Sequence, residues 1–381
     1  MLLIYKILII LCIYFLFKAY FRIKYPFWSI QPVFQYYNLY YWCFPPGIIN
    51  QSLPKKHKTY YDYSIQFSTF EDLKQYERED FINLLQNHYL RSKEVDYVPT
   101  ENAISSYLQN LESKSLVGLK YETKFLNNQT HKKLIGTITG KPLTCYIDNN
   151  KFIVNYVDFL CVHKKFRKKQ VAPKLIHTYY VNQRNIEKTQ VFLFKRESSK
   201  TAYVPLTTYL SYGFNLQYLK KPLKKYSILL TKNHLSYIYN ELNNINRDFR
   251  CSIISSLSNV ETLVTNKVFF IYGIIDNINI HALYIFQDNQ TKIDGEFSVD
   301  CIGSYKKKSL KETIFYNGFL NALYDLKKTY KTLVLENVGH NHILIKNFIK
   351  KNTPMFSSQN SYYFYNFAYK PILSKDVFIL H

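Results

Sequence analysis

FLCVHKKFRKKQVAPKLI, residues 159–176, is an apolar run that breaks into a dense basic patch and resumes as apolar just past a proline. The residues before it extend the first run to FIVNYVDFLCV (152–162), β-branched and aromatic, which reads as a strand. After Pro173, PKLIHTYYVNQRN places Leu175, Ile176, Tyr179 and Tyr180 on one face of a helix. A proline suits a helix start, because its missing N–H would be unpaired there in any case. Free backbone N–H groups and the positive end of the helix dipole therefore converge on the basic turn, which becomes a ready anion site. A solvated lysine run is one alternative, and a nucleic-acid surface is another. Nucleic acid would call for cations spread along a face with aromatics for stacking, whereas these sit in one turn between core elements.

The flanking segments continue the alternation. FEDLKQYEREDFINLLQNHYL (70–90) carries Leu73, Tyr76, Phe81, Leu84 and Leu85 near the 3.6-residue period and reads as a helix. KKLIGTITG (132–140) and TQVFLF (189–194) read as strands, and LTTYLSYGF (206–214) as a helix stopped at Gly213. HALYIF, a charged loop, the helix SLKETIFYNGFLNALYDLKK and the strand TLVLEN repeat the idea further on. The expected fold is α/β, with two mixed halves meeting near 220–230: residues 25–224 and 225–381.

Composition bounds the function. The chain has 381 residues, 47% hydrophobic, which suffices for a large core. Its formal charge of +23 favours an anionic partner, but Lys, Asn, Ile, Tyr and Phe are enriched together, as AT-rich coding would produce, so clustering of cations is the better guide. The cysteines at 12, 43, 145, 161, 251 and 301 form no CxxC pair, which argues against a zinc site or a disulfide scaffold and suits a reducing compartment. His340 and His342 in GHNH have no third candidate ligand nearby and read as surface loop, so no metal is expected.

The amino terminus, MLLIYKILIILCIYFLFKAYFRIKYPFW, has an uninterrupted apolar core from Ile7 to Phe17. Snorkelling of Lys6 and Lys18 extends this to a span over residues 2–21. No small-x-small cleavage site follows, and Lys18, Arg22 and Lys24 outnumber Lys6. Residues 1–24 therefore read as a single-pass signal anchor that leaves the bulk of the chain on the cytosolic face of a membrane. A buried amphipathic helix in a soluble cytoplasmic protein is the alternative.

FLCVHKK with RKKQVAP resembles the signature of the glycylpeptide N-myristoyltransferases, in which a strand ending FLCVHKK runs into a loop of the form RxKxVAP. YPFWSIQPV (25–33) resembles the family's FWxTQPV element, and YYFYNFAYKPILSKDVFILH resembles its closing strands and terminal tail. Three blocks far apart in the chain, in the family's order, make the likeness specific; it extends over residues 25–381. The resemblance implies two pseudo-symmetric acetyltransferase-like (GNAT) halves sharing a mixed, twisted sheet, with YLSYGF (209–214) similar to the superfamily's closing helix.

The resemblance also implies a reaction: transfer of myristate from myristoyl-CoA to the α-amine of an N-terminal glycine, on Gly-terminal peptides or proteins, by a monomer without metal or nucleic acid. By that likeness the N–H groups of Phe159 and Leu160 form an oxyanion hole for the thioester, and the carboxylate of His381 takes the proton of the glycine ammonium. Phe27 and Trp28, with Cys161 and Val162 and the loop Arg167, Lys168, Lys169, Gln170, Val171, Ala172 and Pro173, would bind the acyl-CoA. Tyr89 and Leu90 would face the peptide. Cys161 and His163 lie two apart on one strand face and mimic a nucleophile and base, but the resemblance gives that segment a backbone role.

Several positions depart from the family. Asp158 stands where it has Asn, RSKEVDYV (91–98) replaces an acidic loop, VFLFKR (191–196) replaces a Thr-Ala-Gly turn, FSSQNS (356–361) replaces a Gly-Asp-Gly stretch, and the chain ends in His. The donor side is thus better preserved than the acceptor side. The alternative reading is a non-catalytic binder of acyl-CoA or lipidated peptide.

Overall fold

The computed structural model describes all residues except 1, 91, 93, 127–128, 149, 198–200 and 277–278. Residues 91 and 93 belong to the RSKEVDYV loop, so that part of the departure lies outside the described residues. One mixed sheet dominates. Its strands run in the order Val377–Leu380, Cys251–Ile254, Gln129–Ile147, Asn150–Val162, Val191–Glu197, Phe356–Tyr365, Thr207–Asn215, Thr332–Glu336, Glu296–Lys306, Asn279–Ile293, Phe269–Asp276 and Ile228–Leu229.

Two copies of one motif make this sheet. In the first, the meander Leu116–Leu126, Gln129–Ile147 and Asn150–Val162 leads through the helix Val171–Ile186 to Val191–Glu197, parallel to Asn150–Val162. In the second, Phe269–Asp276, Asn279–Ile293 and Glu296–Lys306 lead through Glu312–Leu326 to Thr332–Glu336, parallel to Glu296–Lys306. Parallel neighbours need a crossover, and the helix supplies it. The halves are stitched together by exchange. Thr207–Asn215 pairs with Thr332–Glu336 of the second half, and Phe356–Tyr365 returns to pair with Val191–Glu197 of the first.

The alternation read from the sequence fits this framework, with three corrections. The segment 206–214 is the strand Thr207–Asn215, not a helix, and the likeness of YLSYGF to a closing helix falls with it. Its burial alternates, with Thr207, Tyr209 and Ser211 inside and Thr208 and Leu210 outside, a two-residue period that a helical count of Leu206, Tyr209, Leu210 and Phe214 overlooks. The helix after the basic turn begins at Val171, so Pro173 sits within its first turn rather than opening it. GHNH is not surface loop: His340 Nδ1 accepts the Lys306 N–H at 2.9 Å, its ring lies 4.9 Å from Phe249, and Asn341 begins the helix Asn341–Phe348.

The helix Val171–Ile186 buries Leu175, Tyr179, Tyr180 and Val181 against the first half's sheet. Each such side chain contributes roughly 1.5–3 kcal/mol by leaving water, so this face fixes the helix start beside the end of the bulged strand described below. The amino-terminal helix Leu2–Lys24 behaves differently. Its side chains from Leu3 to Leu11 are all exposed, and only its last turns, through Phe21, touch the body at Tyr25 and Tyr37.

Candidate functional site

A break in one strand makes the site. In the ladder between Gln129–Ile147 and Asn150–Val162, Asp158 pairs with Thr139 and Cys161 with Thr137, so Phe159 and Leu160 together oppose Ile138. This is a β-bulge, and it interrupts the ladder at FLC. Phe159 takes a φ of 46°, a left-handed conformation that costs a non-glycine residue about 1–2 kcal/mol. Aromatic packing holds it there: its ring meets Tyr107 at 5.7 Å, Tyr89 at 6.0 Å and Phe81 at 6.1 Å. Phe159 therefore packs with the core under the helix Gln75–His88, and Leu160 with the core under Val171–Ile186.

The bulge opens on a cavity of about 730 Å³ between the two halves. Phe27, Trp28, Tyr89, Leu90, Phe159, Leu160, Ala172, Pro173 and His381 all line it, which brings together residues from 27 to 381. Cys161, Val162, Arg167, Lys168, Lys169, Gln170 and Val171 do not line it; they lie on the strand end and the basic loop beyond. In that loop Lys168 and Gln170 are left-handed at φ 64° and 59°, and Lys164, Lys165, Lys168 and Lys169 are exposed. Successive N–H groups at the start of Val171–Ile186 thus meet a cationic rim, the arrangement that receives phosphate. Arg167 is partly committed elsewhere, donating from Nη2 to the His88 carbonyl at 2.7 Å.

One end of the cavity is an aromatic box. Trp28 stacks on Phe194 at 5.8 Å and meets Tyr203 at 4.7 Å, and Phe194 stacks on Tyr363 at 5.3 Å. Such a lining takes an apolar chain.

The other end is charged. Asp158 Oδ1 accepts the Phe159 N–H at 2.7 Å and the Tyr89 hydroxyl at 3.2 Å, while Oδ2 accepts the Tyr107 hydroxyl at 3.2 Å. Burial raises its carboxyl above the ordinary range, and these three donors pull against that shift. Lys195 Nζ donates to Glu336 Oε1 at 2.5 Å, Tyr209 donates to Glu336 Oε2 at 3.1 Å, and Asn289 holds Asp300. Burial, with Glu336 alongside, pushes Asp300 up to about 7. Lys141 is fully buried, and its Nζ finds no hydrogen-bond partner among the described residues; it stands 4.1 Å from the Tyr107 ring centroid, and burial brings it down to about 7.

His381 is buried, its ring 4.4 Å from that of Tyr156. Burial and the nearby Lys195 and Lys141 hold its imidazole well below the usual range, so the ring is neutral. Cys161 donates to the Leu84 carbonyl at 3.7 Å, and burial pushes its thiol up to about 12; it is a packing residue, not a nucleophile. His163 accepts the Lys165 N–H at 3.2 Å and faces His88, with ring centroids 4.0 Å apart. Among the described residues no group of three or more His, Cys, Asp or Glu could hold a metal ion.

Sequence reasoning noticed Asp158 and VFLFKR only as departures. The signal that would have flagged Asp158, Lys195 and Glu336 is the same for all three: a charged residue inside an otherwise apolar strand, in VDFLC, FLFKR and LVLEN. A charge there needs partners, and partners for several such charges imply a shared polar interior.

Comparison with known proteins joins this geometry to a family. Residues 50–194 match the family model for myristoyl-CoA:protein N-myristoyltransferase, N-terminal domain. A glycylpeptide N-tetradecanoyltransferase of Dictyostelium discoideum is 47% identical over 57 residues, 14% of each chain. One of Plasmodium falciparum is 33% identical over 109 residues, 27% of this chain and 24% of that protein. The matched stretches thus span less than a quarter of those relatives' own length. The fold match is longer: the crystal structure of Saccharomyces cerevisiae N-myristoyltransferase with bound myristoyl-CoA superposes with a TM-score of 0.72 at 15% identity, over 92% of this chain and 94% of that one.

Proposed function

The chain belongs to the myristoyl-CoA:protein N-myristoyltransferase family, and from that premise we propose that it transfers myristate from myristoyl-CoA to the N-terminal glycine amine of acceptor polypeptides. One observation carries the proposal. The β-bulge at Phe159–Leu160 faces a cavity that is aromatic at one end, charged at the other, and bordered by a helix start with a cationic rim.

Each part has a role in such a transfer. The acyl chain occupies the Trp28, Phe194 and Tyr203 box, and the CoA phosphates lie at the loop 167–173, held by main-chain N–H groups and exposed lysines. The bulge N–H groups of Phe159 and Leu160 receive the thioester oxygen, with the advantage that they are fixed before charge develops. The glycine ammonium gives one proton to a carboxylate, either the α-carboxylate of His381 or that of Asp158. The free amine then attacks the thioester carbon. The C–S bond breaks and the leaving thiolate takes the second proton, giving the amide and free CoA thiol.

Asp158 is the added element. Its Oδ1 occupies the Phe159 N–H, so the arriving thioester oxygen must displace it, and the displaced carboxylate is then close to the incoming ammonium. The same hydrogen bond favours a second reading, a non-catalytic binder of acyl-CoA or lipidated peptide in which Asp158 keeps that donor closed. Incubating the full chain with labelled myristoyl-CoA and a library of Gly-terminal peptides separates the two. Acylated peptide is expected, and bound myristoyl-CoA without transfer to any peptide would establish the binder instead.

The same proposal extends to location. Within the helix Leu2–Lys24 the candidate span Leu3–Lys24 has 22 residues, about 33 Å at 1.5 Å per residue, and none of its apolar window is buried. That length matches a hydrocarbon core of about 30 Å. We propose that it anchors the protein, with Lys18, Arg22 and Lys24 keeping the body on the cytosolic face, where it acts as a monomer.

A further inference from the structure

Thirty consecutive residues after the amino-terminal helix, YPFWSIQPVFQYYNLYYWCFPPGIINQSLP (25–54), contain no Asp, Glu, Lys, Arg or His, in a chain of which 20% is charged. Cations bracket the stretch, with Lys18, Arg22 and Lys24 before it and Lys55, Lys56 and Lys58 after it. Its first part is needed by the fold: Phe27, Val33 and Phe34 are buried. Its middle is not. Around the short helix Leu39–Cys43, Leu39 is 62% exposed, Tyr40 59% and Phe44 53%, and Tyr40 and Phe44 stack on each other at 4.6 Å on the outer side. The opposite face is pinned. Tyr41 and Trp42 pack on Phe34, and Trp42 donates to the Tyr36 carbonyl at 3.1 Å. The exposed face is therefore presented by a fixed element rather than by a loose loop.

This face adjoins the exit of the apolar helix. Phe21, near the end of Leu2–Lys24, meets Tyr37 at 5.8 Å. The later cation group is joined to the same region, because Tyr60 meets Phe27 at 5.1 Å and stacks on His57. An uncharged exposed face of Leu39, Tyr40 and Phe44, bracketed along the chain by lysines and arginine, has the composition of an element that lies in the headgroup layer of an anionic membrane.

We propose that residues 36–46 form an interfacial patch that enters the headgroup layer of an anionic phospholipid bilayer beside the point where the helix Leu2–Lys24 enters it. The inference rests on the reading of that helix as a membrane anchor, and adds a second contact that fixes the orientation of the body. The patch inserts about 5–10 Å, to the boundary of headgroups and acyl chains. Phe27 and Trp28, on the cavity wall, lie in the chain between the helix end at Lys24 and the patch that starts at Tyr36, so the acyl end of the cavity is held toward the lipid surface.

Two thiols make the test possible. Cys12 in the helix and Cys43 in the patch are exposed, while Cys145, Cys161, Cys251 and Cys301 are buried. The full chain carrying Cys43→Ser takes a fluorophore at Cys12, and Cys12→Ser takes one at Cys43. Each is reconstituted in phosphatidylcholine–phosphatidylserine vesicles containing lipids spin-labelled at the headgroup or deep in the acyl chain. The Cys43 dye is expected to be quenched severalfold more by the headgroup label, and the Cys12 dye by the deep label. Adding Tyr40→Glu and Phe44→Glu is expected to abolish the Cys43 quenching and leave that of Cys12 unchanged. A quenched Cys12 dye with an unquenched, water-exposed Cys43 dye overturns the patch and leaves the anchor standing. A Cys43 dye that is blue-shifted yet unquenched means that protein, a second copy of the chain, covers the face, which also overturns it. Failure of both dyes to be quenched removes the anchor and the patch together.

Discussion

Replacing Asp158 with Asn separates the charge of this residue from its shape. The amide keeps the size and one oxygen acceptor, so Phe159 N–H or Tyr89 retains a partner, and the Tyr107 hydroxyl can turn to accept from the new NH₂. On the proposed transfer, what disappears is a carboxylate to receive the glycine ammonium at the charged end of the cavity. A hydrogen bond to a charged group is worth about 1.5–3 kcal/mol, against about 1 for a neutral pair. Part of the carboxylate's strength is already spent on its three donors, so the loss falls near 1.5–3 kcal/mol at most, or about ten- to a hundredfold in kcat/KM for the acceptor. The affinity for myristoyl-CoA is expected to hold or to rise slightly, because a neutral amide oxygen is displaced from the Phe159 N–H more easily than a carboxylate. The pH profile carries a second signature. Burial raises the Asp158 carboxyl above its ordinary value of 3.8, so the wild-type chain loses this carboxylate as pH falls through the raised value, and activity falls with it. The Asn variant lacks that component of the acid limb. The assay is release of CoA thiol against pH with a Gly-terminal peptide, alongside a direct measurement of myristoyl-CoA binding and of urea unfolding. Turnover by Asp158→Asn equal to or faster than wild type would refute the role in proton transfer and mark Asp158 as a block on the bulge N–H.

Other positions test the frame around the site. Glu336→Gln strips the charge from the partner of Lys195, and because Lys195 opens on the cavity the loss is put at the low end for a broken buried pair, about 3 kcal/mol in urea unfolding. The double variant Lys195→Met with Glu336→Leu should regain most of it, and a double variant less stable than Glu336→Gln alone would contradict that account. Gly140→Ala drives a Cβ into both Asn155 Oδ1 and Tyr179 Oη, which must separate a buried 3.0 Å hydrogen bond; a loss of about 2–4 kcal/mol is expected in the same assay, and a neutral result would mean the helix Val171–Ile186 shifts freely. His340 is held down to about 4 by burial, so the unfolded chain takes up a proton near 6.5 and the folded chain does not. Stability is therefore full above pH 6.5 and lost as pH falls toward 4, by up to about 3 kcal/mol, a slope that His340→Asn should flatten.

How much of this was legible in the sequence depends on whether the signal is local. FLCVHKKFRKKQVAPKLI could be read as strand, basic turn and helix because each piece has its own local mark: β-branched residues, clustered lysines, an early proline. LTTYLSYGF could not be read that way. Its apolar residues satisfy a helical spacing as well as a two-residue one, and what decides is pairing with Phe356–Tyr365 and Thr332–Glu336, strands more than a hundred residues away. GHNH failed for a related reason. Two histidines in a short polar stretch carry no local sign that Phe249 and Tyr305 will enclose one of them.

The charged end of the cavity is the least local feature of all, and the one on which function turns. Asp158 comes from a strand of the first half, Asp300 and Glu336 from strands of the second, and Lys195 from the strand beside which Phe356–Tyr365 returns. Read singly, each is a charge misplaced in an apolar run. The exchange of strands between the halves places the bulge, Lys195 and Glu336 around a single space, where they can pair. The loss of an acidic loop after Tyr89, read from sequence as a weakening of the acceptor side, thus has a counterpart in carboxylates supplied by the sheet itself. If the acceptor amine is received there, its recognition has moved from a surface loop to the rigid centre of the fold. A rigid site of this kind tolerates fewer acceptor shapes, and a narrow peptide specificity is the consequence that the library screen reads directly.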